Sequence, residues 1–124
     1  MIHSSEFLKI VEDALSRVRE ISIEDTLTRI RAGAMLIDVR EDSEWDAGHA
    51  LGAVHIGRGV IERDIVRAVP DKGAEMILYC GGGYRSALAA DNLQKMGYSN
   101  VRSMAGGWHA WEDSGAPIDV PIPF

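Results

Sequence analysis

Between residues 5 and 20, Phe7, Val11, Ala14, Leu15 and Val18 recur at helical spacing with charged residues between them. That pattern predicts an amphipathic helix packed on the domain or on a partner. Ser22 followed by Asp25 predicts a helix start, Leu27, Ile30 and Ala34 its buried face, and Gly33 its stop. From there short apolar runs alternate with helical stretches. Strands are predicted at 35–37, 53–56, 75–79 and 100–104, the run at 75–79 being the clearest. Helices are predicted at 42–47, at 60–69 ending on Pro70, at 87–96 stopped by Gly97, and at 106–113. Gly115 and Pro117 begin a tail.

Alternation of this kind predicts an α/β fold, a central, mostly parallel sheet with helices on both faces. With 124 residues there is room for one core. The expected organisation is an amphipathic helical extension over 1–21, one domain over 22–118 and a short tail over 119–124. No internal repeat, low-complexity stretch or linker interrupts it.

Composition narrows the function. Hydrophobic residues make up 46% and charged residues 26%, which is globular composition. Thirteen basic against 19 acidic residues leave a net charge of -6. That surplus argues against nucleic acid, whose binding needs cations to replace counterions, and against an anionic membrane surface. No apolar run is long enough to span a bilayer, and the charged N-terminus lacks the apolar centre of a secretory signal. The single cysteine excludes an internal disulfide and suits a reducing compartment. A soluble cytoplasmic domain is the expectation.

That cysteine, Cys80, closes the clearest strand and opens the segment Cys80-Gly81-Gly82-Gly83-Tyr84-Arg85-Ser86, which leads into a helix. In open α/β sheets this edge is where ligands bind. Glycines let several backbone N–H groups turn inward, and the helix start adds its positive end. A free thiol titrates near ~8.5, and such surroundings bring it to ~3.5–7.5. Cys80 is therefore a candidate nucleophile. Arg85, the one cation inside the loop, is read either as attracting an anionic donor or as bracing the loop with its planar fork. Tyr84 has a short reach and is read either as lining the pocket mouth or as a surface residue. Asp38 and Arg40 follow a buried strand and read as a structural brace. Glu44 with His49 suggests acid–base work, but an ionised thiol needs no proton abstraction, so His49 is read as fixing a turn. His3, His55 and His109 show no ligand spacing with Cys80, so no metal is expected. Trp45, Trp108 and Trp111 read as core or rim packing, and Gly106-Gly107 as a tight helix entry, with a phosphate site there a remote alternative.

Over about 22–117 the chain resembles the rhodanese family of sulfurtransferases. The resemblance rests on three blocks in order: Leu36-Ile37-Asp38-Val39-Arg40 with Glu44, Trp45, Gly48-His49 and Gly52-Ala53; the loop from Cys80 to Ser86; and Gly106-Gly107-Trp108 with Trp111, Gly115 and Pro117. Leu51 stands where the family's first signature usually has proline, which touches a turn rather than the chemistry. The resemblance implies a rhodanese-like fold without a cofactor. It implies transfer of sulfane sulfur from thiosulfate or a related small anionic donor, through a Cys80 persulfide, to a thiol or cyanide. A thioredoxin-like protein is one candidate acceptor. Gly81, Gly82, Gly83, Tyr84 and Arg85 would hold the substrate, and Asp38, Arg40 and Ser86 would support the loop. The alternative is a sulfur carrier or interaction module that receives sulfur from a protein donor. Related cysteine phosphatases place five residues between Cys and Arg to wrap a phosphate; here there are four. The lack of a second cysteine argues against a self-resolving arsenate reductase.

Overall fold

The computed structural model describes residues 2–120. Its frame is a five-stranded sheet built from β1 (Arg19–Ile21), β2 (Met35–Asp38), β4 (Val54–His55), β5 (Met76–Tyr79) and β6 (Val101–Met104). The order is β1-β6-β5-β2-β4 and every pairing is parallel. Parallel neighbours need crossovers, and α2 (Ile23–Arg31), α4 (Ile61–Ala68) and α5 (Tyr84–Lys95) provide them. Ser22 caps α2 as its sequence implies, its Oγ accepting the Asp25 N–H at 3.0 Å. The short α3 (Asp42–Ala47) spans the predicted residues and opens with a capping box between Glu41 and Glu44.

Strand alternation sorts the core onto two faces. Ile37, Met76, Leu78 and Cys80 pack with Ile61 and Ile65 of α4 and Ala89 and Leu93 of α5. Leu36, Ile77, Tyr79 and Met104 pack on the other face with Leu27 and Ile30 of α2 and Trp111 of α6 (Gly107–Asp113). The expected α/β sheet with helices on both faces is the architecture observed. Among the described residues no helix is long and apolar enough to cross a membrane.

Three local expectations change. The N-terminal helix α1 (Ser5–Leu15) ends short of residue 20, because Ser16 caps it and the chain re-enters as β1, paired with Arg102, Ser103 and Met104. The helix predicted at 87–96 starts three residues earlier, at Tyr84, because Gly83 takes φ +107° and begins the helical turn at once. The segment after Pro117 forms β7 (Ile118–Asp119), antiparallel to β3 (His49–Ala50). Residues 121–124 of the predicted tail lie outside the described residues.

Candidate active site

Cys80 leaves the carboxyl end of β5 and is 1% exposed. Its Sγ accepts the Gly83 backbone N–H at 3.1 Å. Ser86, in the first turn of α5, brings its Oγ to 3.5 Å from the same sulfur and to 2.8 Å from Ser103 Oγ on β6. The sulfur therefore faces a backbone donor and a buried hydroxyl at the opening of a twelve-residue helix.

The loop is held from behind by α6. The Trp108 N–H donates to the Cys80 carbonyl at 2.7 Å, and the His109 N–H to the Gly81 carbonyl at 3.3 Å. Gly107 makes this approach possible. Its φ is +52°, and an added Cβ would collide with the Cys80 carbonyl oxygen and lie 2.9 Å from the Gly81 carbonyl. Of the N–H groups at that helix start, those of Trp108 and His109 are taken up by the loop and so do not face a phosphate.

Arg85 does not stand free. Its Nη1 and Nη2 donate to Glu44 Oε1 and Oε2 at 2.6 and 3.0 Å, a two-pronged pair across 41 positions of sequence. Hydrogen bonding from Arg85 holds the Glu44 carboxyl below its usual range, against the opposing effect of burial. The pair ties the Cys80 loop to α3.

Asp38 and Arg40 form a buried fork. Arg40 Nε and Nη2 reach Asp38 at 2.8–3.1 Å, and Nη2 also donates to the Gly48 carbonyl at 2.7 Å. Burial is the largest influence on Arg40 and opposes its charge, but hydrogen bonding to Asp38 and attraction to the negative groups around it together outweigh burial and hold the guanidinium charged. The Tyr79 hydroxyl donates to Asp38 Oδ2 at 2.5 Å and accepts the Ala50 N–H at 3.1 Å. Burial, then the Asp38 contact, pushes the ionisation of that phenol upward. The brace meets the loop through an intermediary: the Arg40 guanidinium lies 4.7 Å from the Trp108 ring, whose backbone holds Cys80.

The remaining predicted residues divide. Gly81, Gly82, Tyr84 and Arg85 line a cleft of about 840 Å³ over Cys80. Gly83 turns inward to the sulfur instead. His49 is joined to the Trp45 carbonyl at 3.0 Å and stacked on the Trp45 ring at 3.4 Å, at the end of α3. Sequence reasoning missed Ser103, Arg58 and the pairing of Glu44 with Arg85. It also missed His3 and Phe7, which line the cleft from the N-terminal segment.

Comparison with known proteins agrees with this geometry. Thiosulfate sulfurtransferase GlpE of Pseudomonas entomophila is 33% identical over 100 residues, covering 81% of this chain and 90% of the relative. The uncharacterized protein YqhL of Bacillus subtilis is 38% identical over 101 residues, covering 77% of this chain and 79% of its own. Among solved structures, RPA3614 of Rhodopseudomonas palustris, a protein of unknown function and possible tyrosine phosphatase, is similar with TM-score 0.79 and 26% identity, covering 96% of this chain and 98% of that one. The family model for the rhodanese-like domain matches residues 22–114, a span that takes in Asp38, Arg40, the Cys80 loop and Trp108. The chain belongs to the rhodanese-like domain family.

Proposed function

We propose that the chain is a sulfurtransferase that carries sulfane sulfur on Cys80. The observation behind this reading is the sulfur itself: buried, bonded to the Gly83 N–H, and followed by only four residues before Arg85. The Cys80 thiolate attacks the outer sulfur of thiosulfate or a related anionic donor. The donor's S–S bond breaks, sulfite leaves with the electron pair, and Cys80 becomes a persulfide. A thiol or cyanide then attacks the outer sulfur, and the pair of the broken bond returns to Sγ. Both half-reactions place negative charge on sulfur beside the Gly83 N–H, a fixed donor that needs no reorganisation. The sulfurtransferase name of the Pseudomonas relative supports the same chemistry.

A phosphatase reading is opposed by the loop. Cysteine phosphatases place five residues between Cys and Arg so that the loop wraps a phosphoryl group, and here there are four. Intact-mass measurement tests the proposal. Thiosulfate should add one sulfur to the wild type and none to Cys80→Ser, and cyanide should remove it. Uptake only from a protein persulfide would replace the small donor by a protein one. Cys80-dependent hydrolysis of an aryl phosphate, with no sulfur adduct, would overturn the reading.

A further inference from the structure

The cleft over Cys80 is larger than the reaction's small substrates need. Its volume of about 840 Å³ lies in the range of sites for organic ligands, ~300–1,000 Å³. Thiosulfate and cyanide are a handful of atoms each. Part of its wall comes from residues that precede the matched family span of 22–114. The His3 ring stands edge-on to Tyr84 at 4.8 Å and 5.1 Å from Phe7, and Phe7 lies 6.2 Å from Tyr84. This aromatic edge is fixed in place. Val11 and Ala14 of α1 are buried, and Arg17 Nε and Nη2 donate to Asp91 of α5 at 2.9 and 2.8 Å.

Two arginines line the cleft, and they differ. The guanidinium of Arg85 is matched by Glu44. Arg58 is exposed, and its side chain makes no ion pair or hydrogen bond among the described residues. Only its backbone is tied, the N–H donating to the Val39 carbonyl at 3.0 Å. On a chain of net charge -6, Arg58 places an unpaired positive charge on the wall of the cleft that Cys80 also lines.

We infer that Arg58 and the His3–Phe7–Tyr84 edge form a subsite for the sulfur acceptor, a small organic thiol bearing a carboxylate. The inference rests on the persulfide reading of Cys80. The carboxylate meets Arg58 and the apolar body lies on the rings. The acceptor thiolate attacks the outer sulfur and forms the new S–S bond. The bond to Cys80 Sγ breaks, its electron pair returns to Sγ, and the acceptor leaves as a persulfide, with no external oxidant or reductant.

The test loads the full chain with thiosulfate, verifies the one-sulfur mass gain, and follows discharge by 4-mercaptobenzoate, 4-mercaptobenzamide and cyanide. Comparing each probe across variants cancels its intrinsic reactivity. Arg58→Gln should slow discharge to the benzoate about three- to fivefold at low salt and leave the benzamide unchanged. Arg67→Gln, the same charge change on exposed α4, should alter neither. Phe7→Ala should slow both aromatic thiols and leave cyanide unaffected. Equal benzoate rates in Arg58→Gln and Arg67→Gln, on protein that carries the sulfur, overturn the subsite and leave the sulfurtransferase standing. Failure of the wild type to load sulfur from either thiosulfate or a protein persulfide overturns both.

Discussion

Arg85 and Glu44 meet prong to prong beside the nucleophile, so the loop's own cation is neutralised by a carboxylate from α3. The two side chains are 29% and 35% exposed, and solvent screening limits the pair to about 1 kcal/mol. Removing either partner therefore does more than remove a bond. Arg85→Ala leaves a bare carboxylate in the path of an anionic donor. Its kcat/KM for thiosulfate should fall about five- to tenfold. The double variant Arg85→Ala/Glu44→Ala should recover most of that loss. Steady-state kinetics of the two single variants and the double provide the cycle. A double variant no better than Arg85→Ala alone would mean that the guanidinium acts directly on the donor.

Gly107 is where α6 touches the active loop. A side chain there meets the Cys80 and Gly81 carbonyls and must also adopt φ near +52°. The backbone conformation alone costs a non-glycine residue about 1–3 kcal/mol. Gly107→Ala should lower the thermal midpoint and detach the Trp108 N–H from the Cys80 carbonyl. Thiosulfate turnover should fall more steeply than stability. Gly115→Ala is the control, with a comparable φ of +75° and open space around its added Cβ. Equal losses in the two variants would assign the effect to backbone strain and not to the loop.

Much of this site was legible before the structure, and the exceptions share a cause. The runs Met35-Leu36-Ile37 and Met76-Ile77-Leu78-Tyr79 announce buried strands because a strand covered on both faces is apolar along its length, whereas β6 (Val101-Arg102-Ser103-Met104) carries the same signal more weakly. The Cys80 loop is equally plain, since strand, glycines and helix start are contiguous. By contrast β1 is Arg19-Glu20-Ile21, an edge strand with two exposed side chains and no apolar signal. Only its pairing with β6, some eighty positions away, makes it a strand. The Arg85–Glu44 pair, the Ser86–Ser103 contact and the α6 grip on Cys80 join residues from separate elements. No local periodicity encodes them. His3 and Phe7 reach the cleft because α1 lies alongside α5, a packing choice that the amphipathic pattern leaves open.

The anchor of α1 should respond to acid. Asp91 faces Arg17 and, at 3.5 Å, Lys95, while Asp13 shares the Arg17 guanidinium. Hydrogen bonding from Arg17 holds the Asp91 carboxyl below its usual range, against burial. A carboxylate depressed in the folded state stabilises it at pH above the unfolded value, ~3.9, and loses that contribution as pH falls through the lower folded value. Amide exchange in α1 should therefore accelerate relative to the sheet below about pH 4. Asp91→Asn should show fast α1 exchange already at neutral pH and a flatter acid response. An α1 that stays as protected in Asp91→Asn as in the wild type would show that Val11 and Ala14 hold the helix without the ion pair.

The most severe single substitutions should fall at Asp38 and Arg40, neither of which lines the cleft over Cys80. Both side chains are buried, at 0% and 4% exposure, and each serves several partners. Asp38 accepts from Arg40 and from Tyr79, and Arg40 also donates to the Gly48 carbonyl and lies over Trp108. Arg40→Met removes the cation and leaves the carboxylate buried without it. Breaking a buried pair from one side costs about 3–5 kcal/mol, because the surviving charge is stranded. Tyr79→Phe is milder, about 1–3 kcal/mol, since it leaves the ion pair and orphans only the Ala50 N–H and one bond to Asp38. Asp38→Asn combined with Arg40→Met removes both charges and should be more stable than Arg40→Met alone. The brace reaches Cys80 through Trp108, so Arg40→Met should also raise the rate at which iodoacetamide alkylates the cysteine as the loop loosens. Denaturant unfolding of the three variants, with alkylation followed by mass, separates the two effects. Alkylation at the wild-type rate in a destabilised Arg40→Met would confine the brace to the core and cut the proposed link through Trp108.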